Sequence, residues 1–87
     1  MTVKVRLPRI LSQAVREGLR HEVTGADVGQ VLHGLFDVEP GLRNHLIDEG
    51  GEIRTHVLVF VDGERADLST PVPDGGEVQV LQAVSGG

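Results

Sequence analysis

Only one stretch of this chain carries sustained helical periodicity, and that limits the folds open to it. Val28, Val31, Leu32, Leu35 and Phe36 fall at i, i+3, i+4, i+7 and i+8, a single apolar stripe. Ahead of it, Thr24-Gly25-Ala26-Asp27 has the spacing of a capping box, with Asp where Glu is preferred, and predicts a helix opened by Thr24. Pro40-Gly41 stops it. Gly29 and Gly34 each weaken the helix by about 1 kcal/mol relative to alanine, so packing must compensate; a small residue there permits close approach to a sheet. Leu42 and Leu46 predict one more short helical turn.

The rest of the regular structure reads as strands. Thr2 to Leu7 alternates, with Val3, Val5 and Leu7 on one face and Thr2, Lys4 and Arg6 on the other, and Pro8 stops it. Residues 9–17 read as a connection with a helical turn, and Leu19 to Val23 as a strand returning on the first. Asp48-Glu49-Gly50-Gly51-Glu52 reads as a polar loop. Thr55 to Val61 is the strongest strand, Asp62-Gly63 a tight hairpin signal, and Arg65 to Leu68 the strand that pairs back. Asp74-Gly75-Gly76 turns the chain into a last strand, Glu77 to Val84. The order is strand, strand, helix, then three strands. One helix on a mixed sheet is a two-layer α+β domain, and the helix can be the crossover that lets two strands run parallel.

One helix covers one face of a sheet. Val57, Val59, Val61, Val78 and Val80, with Val3, Val5 and Leu7, form the face for the helix stripe. Leu58, Phe60 and Leu81 then point the other way and are apolar too. Either the short segments near 9–17 or 42–47 fold over them, or they form an exposed binding patch bordered by Lys4 and Arg6.

Eighty-seven residues support one domain with one core. The chain has no cysteine, which excludes disulfides, cysteine-ligated zinc and a cysteine nucleophile. The alternating start lacks an apolar signal core, and no apolar run approaches the roughly 18 residues of a membrane span, so a cytoplasmic protein is expected. The formal net charge is −5 and the only aromatics are Phe36 and Phe60, which argues against a nucleic-acid partner. The acidic residues read as a solvated surface, with steering toward a basic partner as the functional alternative.

The last strand runs into Ser85-Gly86-Gly87. A bare diglycine carboxylate is slender, and glycine backbone can enter a narrow channel closed to other residues. With Val84 to Gly87 extended, the carboxylate reaches roughly 13 Å beyond the folded body. This suits a group that another enzyme must seize and activate. Residues 1–84 are therefore expected to form the domain and 85–87 a flexible tail.

Taken in order, these segments resemble the ubiquitin-like sulfur carriers of the ThiS/MoaD family. The resemblance rests on Val3-Lys4-Val5-Arg6-Leu7-Pro8, Thr24-Gly25-Ala26-Asp27-Val28, Pro40-Gly41-Leu42, Val57-Leu58-Val59-Phe60-Val61-Asp62-Gly63, Asp74-Gly75-Gly76-Glu77-Val78 and Ala83-Val84-Ser85-Gly86-Gly87. Such proteins often carry Asn-Gly where Asp62-Gly63 stands, and proline near Gln82-Ala83. The resemblance implies a β-grasp fold, with a sheet of four to five strands packed on one main helix. It implies that the chain is not an enzyme but the substrate of an adenylating enzyme that spends ATP on the Gly87 carboxylate. Sulfur then replaces AMP, and the Gly87 thiocarboxylate donates sulfur to an acceptor biosynthetic enzyme. Ser85 and Gly86 would thread the activating enzyme's channel, and Val84 would meet the partner beside them. Leu58, Phe60 and Leu81 would dock the body. No cofactor is expected on the chain itself.

Two other readings stay open: a ubiquitin-like modifier joined through Gly87 to lysines, and a non-covalent adaptor. Independent catalysis is the least supported. His21, His33, His45 and His56 lack metal-site spacing, Ser12, Ser69 and Ser85 show no nucleophile elbow, and Gly50-Gly51 and Gly75-Gly76 read as turns.

Overall fold

The computed structural model describes residues 2–82. β1 (Val3–Arg6) leads through a 3-10 helix (Arg9–Ala14) to β2 (Arg20–Val23). Then come α1 (Val28–Val38), a 3-10 turn (Pro40–Leu42) and α2 (Arg43–Leu46). β3 (Val57–Val61), β4 (Glu64–Ala66) and β5 (Glu77–Gln82) complete the sheet. Its order is β2-β1-β5-β3-β4. β1 and β5 are parallel, Val5 opposite Val78, while the other neighbours are antiparallel. A mixed five-stranded sheet with one long helix on a single face is the β-grasp fold.

The alternation of the strands decides which side chains reach that helix. Val3, Val5, Val57, Val59, Val61, Val78 and Val80 are all buried, and Val28, Val31, Leu32 and Leu35 of α1 close over them. Phe36, placed on the same stripe by its spacing, is only partly buried. Leu11, Leu42 and Leu46 join this core from the short helices. The segments near 9–17 and 42–47 thus pack on the helix side, and the opposite face stays uncovered by them.

Asp27, and not Thr24, caps α1. Its side chain accepts the Gln30 N–H at 2.8 Å, and the Gln30 carboxamide accepts the Ala26 N–H at 2.9 Å. The start is displaced by a long-range pairing: Asp27 bridges to Pro71, and Val72 N–H donates to the Ala26 carbonyl. That holds residues 26–27 extended, so the helix begins only at Val28. The carbonyls of Thr70 and Leu68 accept the Val28 and Gly29 N–H groups at 3.0 and 2.9 Å. Gly29 therefore makes its close approach to the Leu68 loop and not to the sheet; a Cβ there would lie 3.3 Å from the Leu68 carbonyl. The loop is tied off by Asp67, which accepts from the Ser69 hydroxyl at 2.7 Å and its N–H at 2.9 Å. The Ser69 hydroxyl, with the Ser69 N–H and Thr70, holds the Asp67 carboxyl below its ordinary value.

The strand ends shift by a residue or two from the periodicity. β3 begins at Val57 and not Thr55, and β4 covers Glu64–Ala66 in place of Arg65 to Leu68. Leu19 lies just outside β2, but its carbonyl accepts the Leu7 N–H at 2.8 Å. Asp62 and Gly63 both have positive φ, 48° and 89°, as a tight two-residue hairpin turn requires. Asp62 also fixes the start of β5, accepting the Glu77 N–H at 2.9 Å and returning its own N–H to the Glu77 carbonyl. No described helix is long and apolar enough to cross a membrane.

Candidate docking face and carboxyl end

β5 is the strand that carries the chain toward its diglycine. It lies between β1 and β3, in the middle of the sheet. Val84, Ser85, Gly86 and Gly87, proposed from sequence as the reactive end and its approach, lie outside the described residues, as does the boundary set at residue 84. Gln82, the last described residue, sits opposite Val57 on the helix side. Its Oε1 is buried and has no hydrogen-bond partner among the described residues.

The three apolar residues of the open face do come together. Leu58 and Leu81 are register partners on β3 and β5. Phe60 stands opposite Gln79, one diagonal step from Leu81 and within reach of an aromatic ring. Leu58 and Phe60 are half-buried, and Leu81 is 36% exposed. Arg6 is the register partner of Gln79 on β1, so it does border the patch; Lys4 stands one row further away, opposite Glu77.

Among the histidines, His33, His45 and His56 are exposed. His21 is the exception, and sequence reasoning missed its partner. Its side chain is 9% exposed on the helix side, with Nε2 at 3.2 Å from Glu39 Oε2. Nε2 is also 2.9 Å from the Gly18 carbonyl, which can only accept, so this nitrogen carries the proton. Glu39 is wholly buried at the end of α1 and accepts the Arg16 and Glu17 N–H groups at 2.7 and 2.8 Å. Burial pushes its carboxyl up, but those two N–H groups outweigh burial, aided by His21 and Arg16, and hold it below the usual glutamate range. The signal available in sequence was an acid at a helix C-terminus, where the helix dipole disfavours it. Among the described residues no group of three His, Asp or Glu side chains could hold a metal ion.

This arrangement has known relatives. The ThiS family matches residues 5–87. Small archaeal modifier protein 1 of Haloferax volcanii is 34% identical over 70 residues, covering 79% of this chain and 80% of that protein. The crystal structure of the same H. volcanii protein superposes with a TM-score of 0.89 at 27% identity, covering 100% of both chains. A chain in the crystal structure of the Amycolatopsis orientalis BexX/CysO complex superposes with a TM-score of 0.88 at 27% identity, covering 98% of this chain and 99% of that one. With its β-grasp architecture and near full-length match, the chain belongs to the ThiS family of small ubiquitin-like carriers and modifiers.

Proposed function

We propose that the chain is a sulfur carrier that acts through the carboxylate of Gly87. The observation that carries this reading is the conjunction of ThiS-family membership with a sequence that runs on from Gln82, the last described residue of the central strand, through Ala83-Val84 to Ser85-Gly86-Gly87. A carboxylate resists nucleophiles because it is anionic and resonance-stabilised. Attack of a Gly87 oxygen on the α-phosphorus of ATP expels pyrophosphate and leaves an acyl-adenylate. Hydrosulfide, or a protein group that delivers it, then forms the C–S bond as the C–O bond to AMP breaks. The thiocarboxylate sulfur bonds to the acceptor enzyme's substrate, and water then cleaves the C–S bond to Gly87, supplying the oxygen that restores the carboxylate for another round. In this cycle the chain supplies no catalytic side chain. The adenylating enzyme holds the ATP, and Leu58, Phe60 and Leu81 give it and the acceptor an apolar ridge to grip. Val84, Ser85 and Gly86 lie in the channel that leads to the adenylation site.

The second reading, attachment of Gly87 to lysine amines, is favoured by the 34% identity to small archaeal modifier protein 1. Intact mass spectrometry of protein from its native source separates the two. A species heavier by the exchange of one oxygen for one sulfur, and trapped by a thiocarboxylate-reactive probe, identifies the carrier. Branched Gly-Gly peptides on lysines of other proteins, with no such species, identify the modifier. A variant with one residue added after Gly87, and no protease to remove it, that still supplies sulfur to its pathway would overturn the carrier reading.

A further inference from the structure

The open face carries a charge opposite to that of the molecule, and the register places its cations in one line. Arg20 pairs with Arg6, Arg6 with Gln79, Gln79 with Phe60 and Phe60 with Arg65. One row of side chains thus crosses all five strands, spanning about 19 Å at the usual strand spacing. It holds three arginines, one glutamine and one aromatic ring, and no acid. The row above it contains Glu22, Lys4 and Glu77, one cation between two acids, with a net charge of −1. The row below holds Leu58 and Leu81. Counted by strand position, the face has four of the chain's eight cations against two of its thirteen acids. The net −5 therefore divides into +2 here and −7 over everything else.

Arg20 and Arg65 make no ion pair among the described residues. The Arg6–Glu77 pair, at 3.9 Å between exposed groups, contributes little. Over β1 and β2 the face is hollowed into a groove of about 530 Å³ bordered by Lys4, Arg6 and Arg20, with Glu22 and Glu77 also on its lining. Like charges aligned at this density on an otherwise acidic protein repel one another in the free chain, and a complementary surface relieves that repulsion. A second copy does not fit: two such faces would set arginines against arginines.

We propose that this arginine row docks an acidic protein surface, carboxylates on the partner meeting Arg20, Arg6 and Arg65 while the partner's apolar side chains meet Phe60, Leu58 and Leu81. This deepens the carrier reading, on which the kinetic arm below rests, by naming the chemistry of the surface that receives the chain. The acidic remainder of the molecule orients the approach, because the partner's negative field repels every other side.

The test compares Arg20→Glu/Arg65→Glu with Arg9→Glu/Arg43→Glu, a variant of equal net charge altered away from the face. With the source organism's adenylating enzyme, kcat/KM for the wild-type chain should fall about tenfold as salt rises from roughly 50 to 300 mM. Arg20→Glu/Arg65→Glu should lose about tenfold at low salt through KM, with kcat kept and the salt dependence flattened. Arg9→Glu/Arg43→Glu should stay close to wild type. Equal losses in the two variants, or no salt dependence in the wild type, would overturn the proposal while leaving thiocarboxylate formation intact. The second arm needs no enzyme: hexaglutamate is titrated into the isotope-labelled chain at low salt. Shifts should gather at the amides of Arg6, Arg20, Phe60 and Arg65, and hexalysine should not reproduce them. An unresponsive row, or a single-stranded oligonucleotide that binds it more tightly than hexaglutamate at physiological salt, would reject an acidic protein as its occupant. If no adenylate forms with any variant, the carrier reading falls, and the peptide titration still decides the charge preference.

Discussion

His21 Nε2 and Glu39 Oε2 lie 3.2 Å apart and join β2 to the end of the long helix. Glu39 also receives the Arg16 and Glu17 N–H groups, so one carboxylate organises the whole approach to β2. Glu39→Gln keeps the shape but loses the charge and puts an NH2 where an acceptor is needed. It should lower folding stability by about 2 kcal/mol. Urea denaturation would read this as a lower midpoint at unchanged slope; an unchanged midpoint would show the pair to be dispensable.

The depressed Glu39 carboxyl also sets a pH dependence. A group held below its unfolded value contributes fully above the ordinary glutamate range, and its contribution is lost as pH falls through the folded-state value. Thermal melts from neutral pH downward should therefore show a steeper acid limb in the wild type than in Glu39→Gln. Parallel limbs would place the acid sensitivity elsewhere.

The cap of α1 gives a paired comparison. Asp27→Ala removes the acceptor for the Gln30 N–H and should cost about 1 kcal/mol. Thr24→Ala should change stability by less than about 0.5 kcal/mol. Reversal of that order would restore Thr24 as the cap.

Gly41 is tightly enclosed: a Cβ there would sit 2.8 Å from the Ala14 carbonyl oxygen. Gly41→Ala forces the Pro40-Gly41 turn away from the 3-10 helix and should cost roughly 1–3 kcal/mol. A substitution tolerated without loss would mean that the two segments can separate freely.

Adjacent residues on β5 separate packing from docking. Val80, 1% exposed, faces the core, and Val80→Ala should cost about 2 kcal/mol. Leu81→Ser should leave the free chain within about 0.5 kcal/mol of wild type and yet raise KM with the adenylating enzyme. Equal effects on stability would mean that Leu81 is a core residue.

Much of this was legible because the alternation of side chains is a local property. Val57 to Val61 and Val78 to Leu81 declare their faces without knowledge of their neighbours, and the apolar trio of Leu58, Phe60 and Leu81 follows from parity. What local pattern cannot hold is register. The arginine row joins residues 6, 20 and 65, and no spacing in the chain relates them; only strand order does. The Asp27 cap was hidden for a similar reason, since pairing with Pro71 and Val72 decides where the helix begins. Glu39 was hidden because its partners, at residues 16, 17 and 21, come from a segment with little periodicity.

The placement of β5 has a mechanical meaning. An enzyme that draws on residues beyond Gln82 pulls a strand hydrogen-bonded on both flanks, parallel to β1 and antiparallel to β3. Tension along its axis loads the two ladders in shear, with many bonds sharing the force. A tether leaving from an edge such as β4 could instead be peeled away one bond at a time. A pull on the residues beyond Gln82 is therefore resisted by both ladders at once.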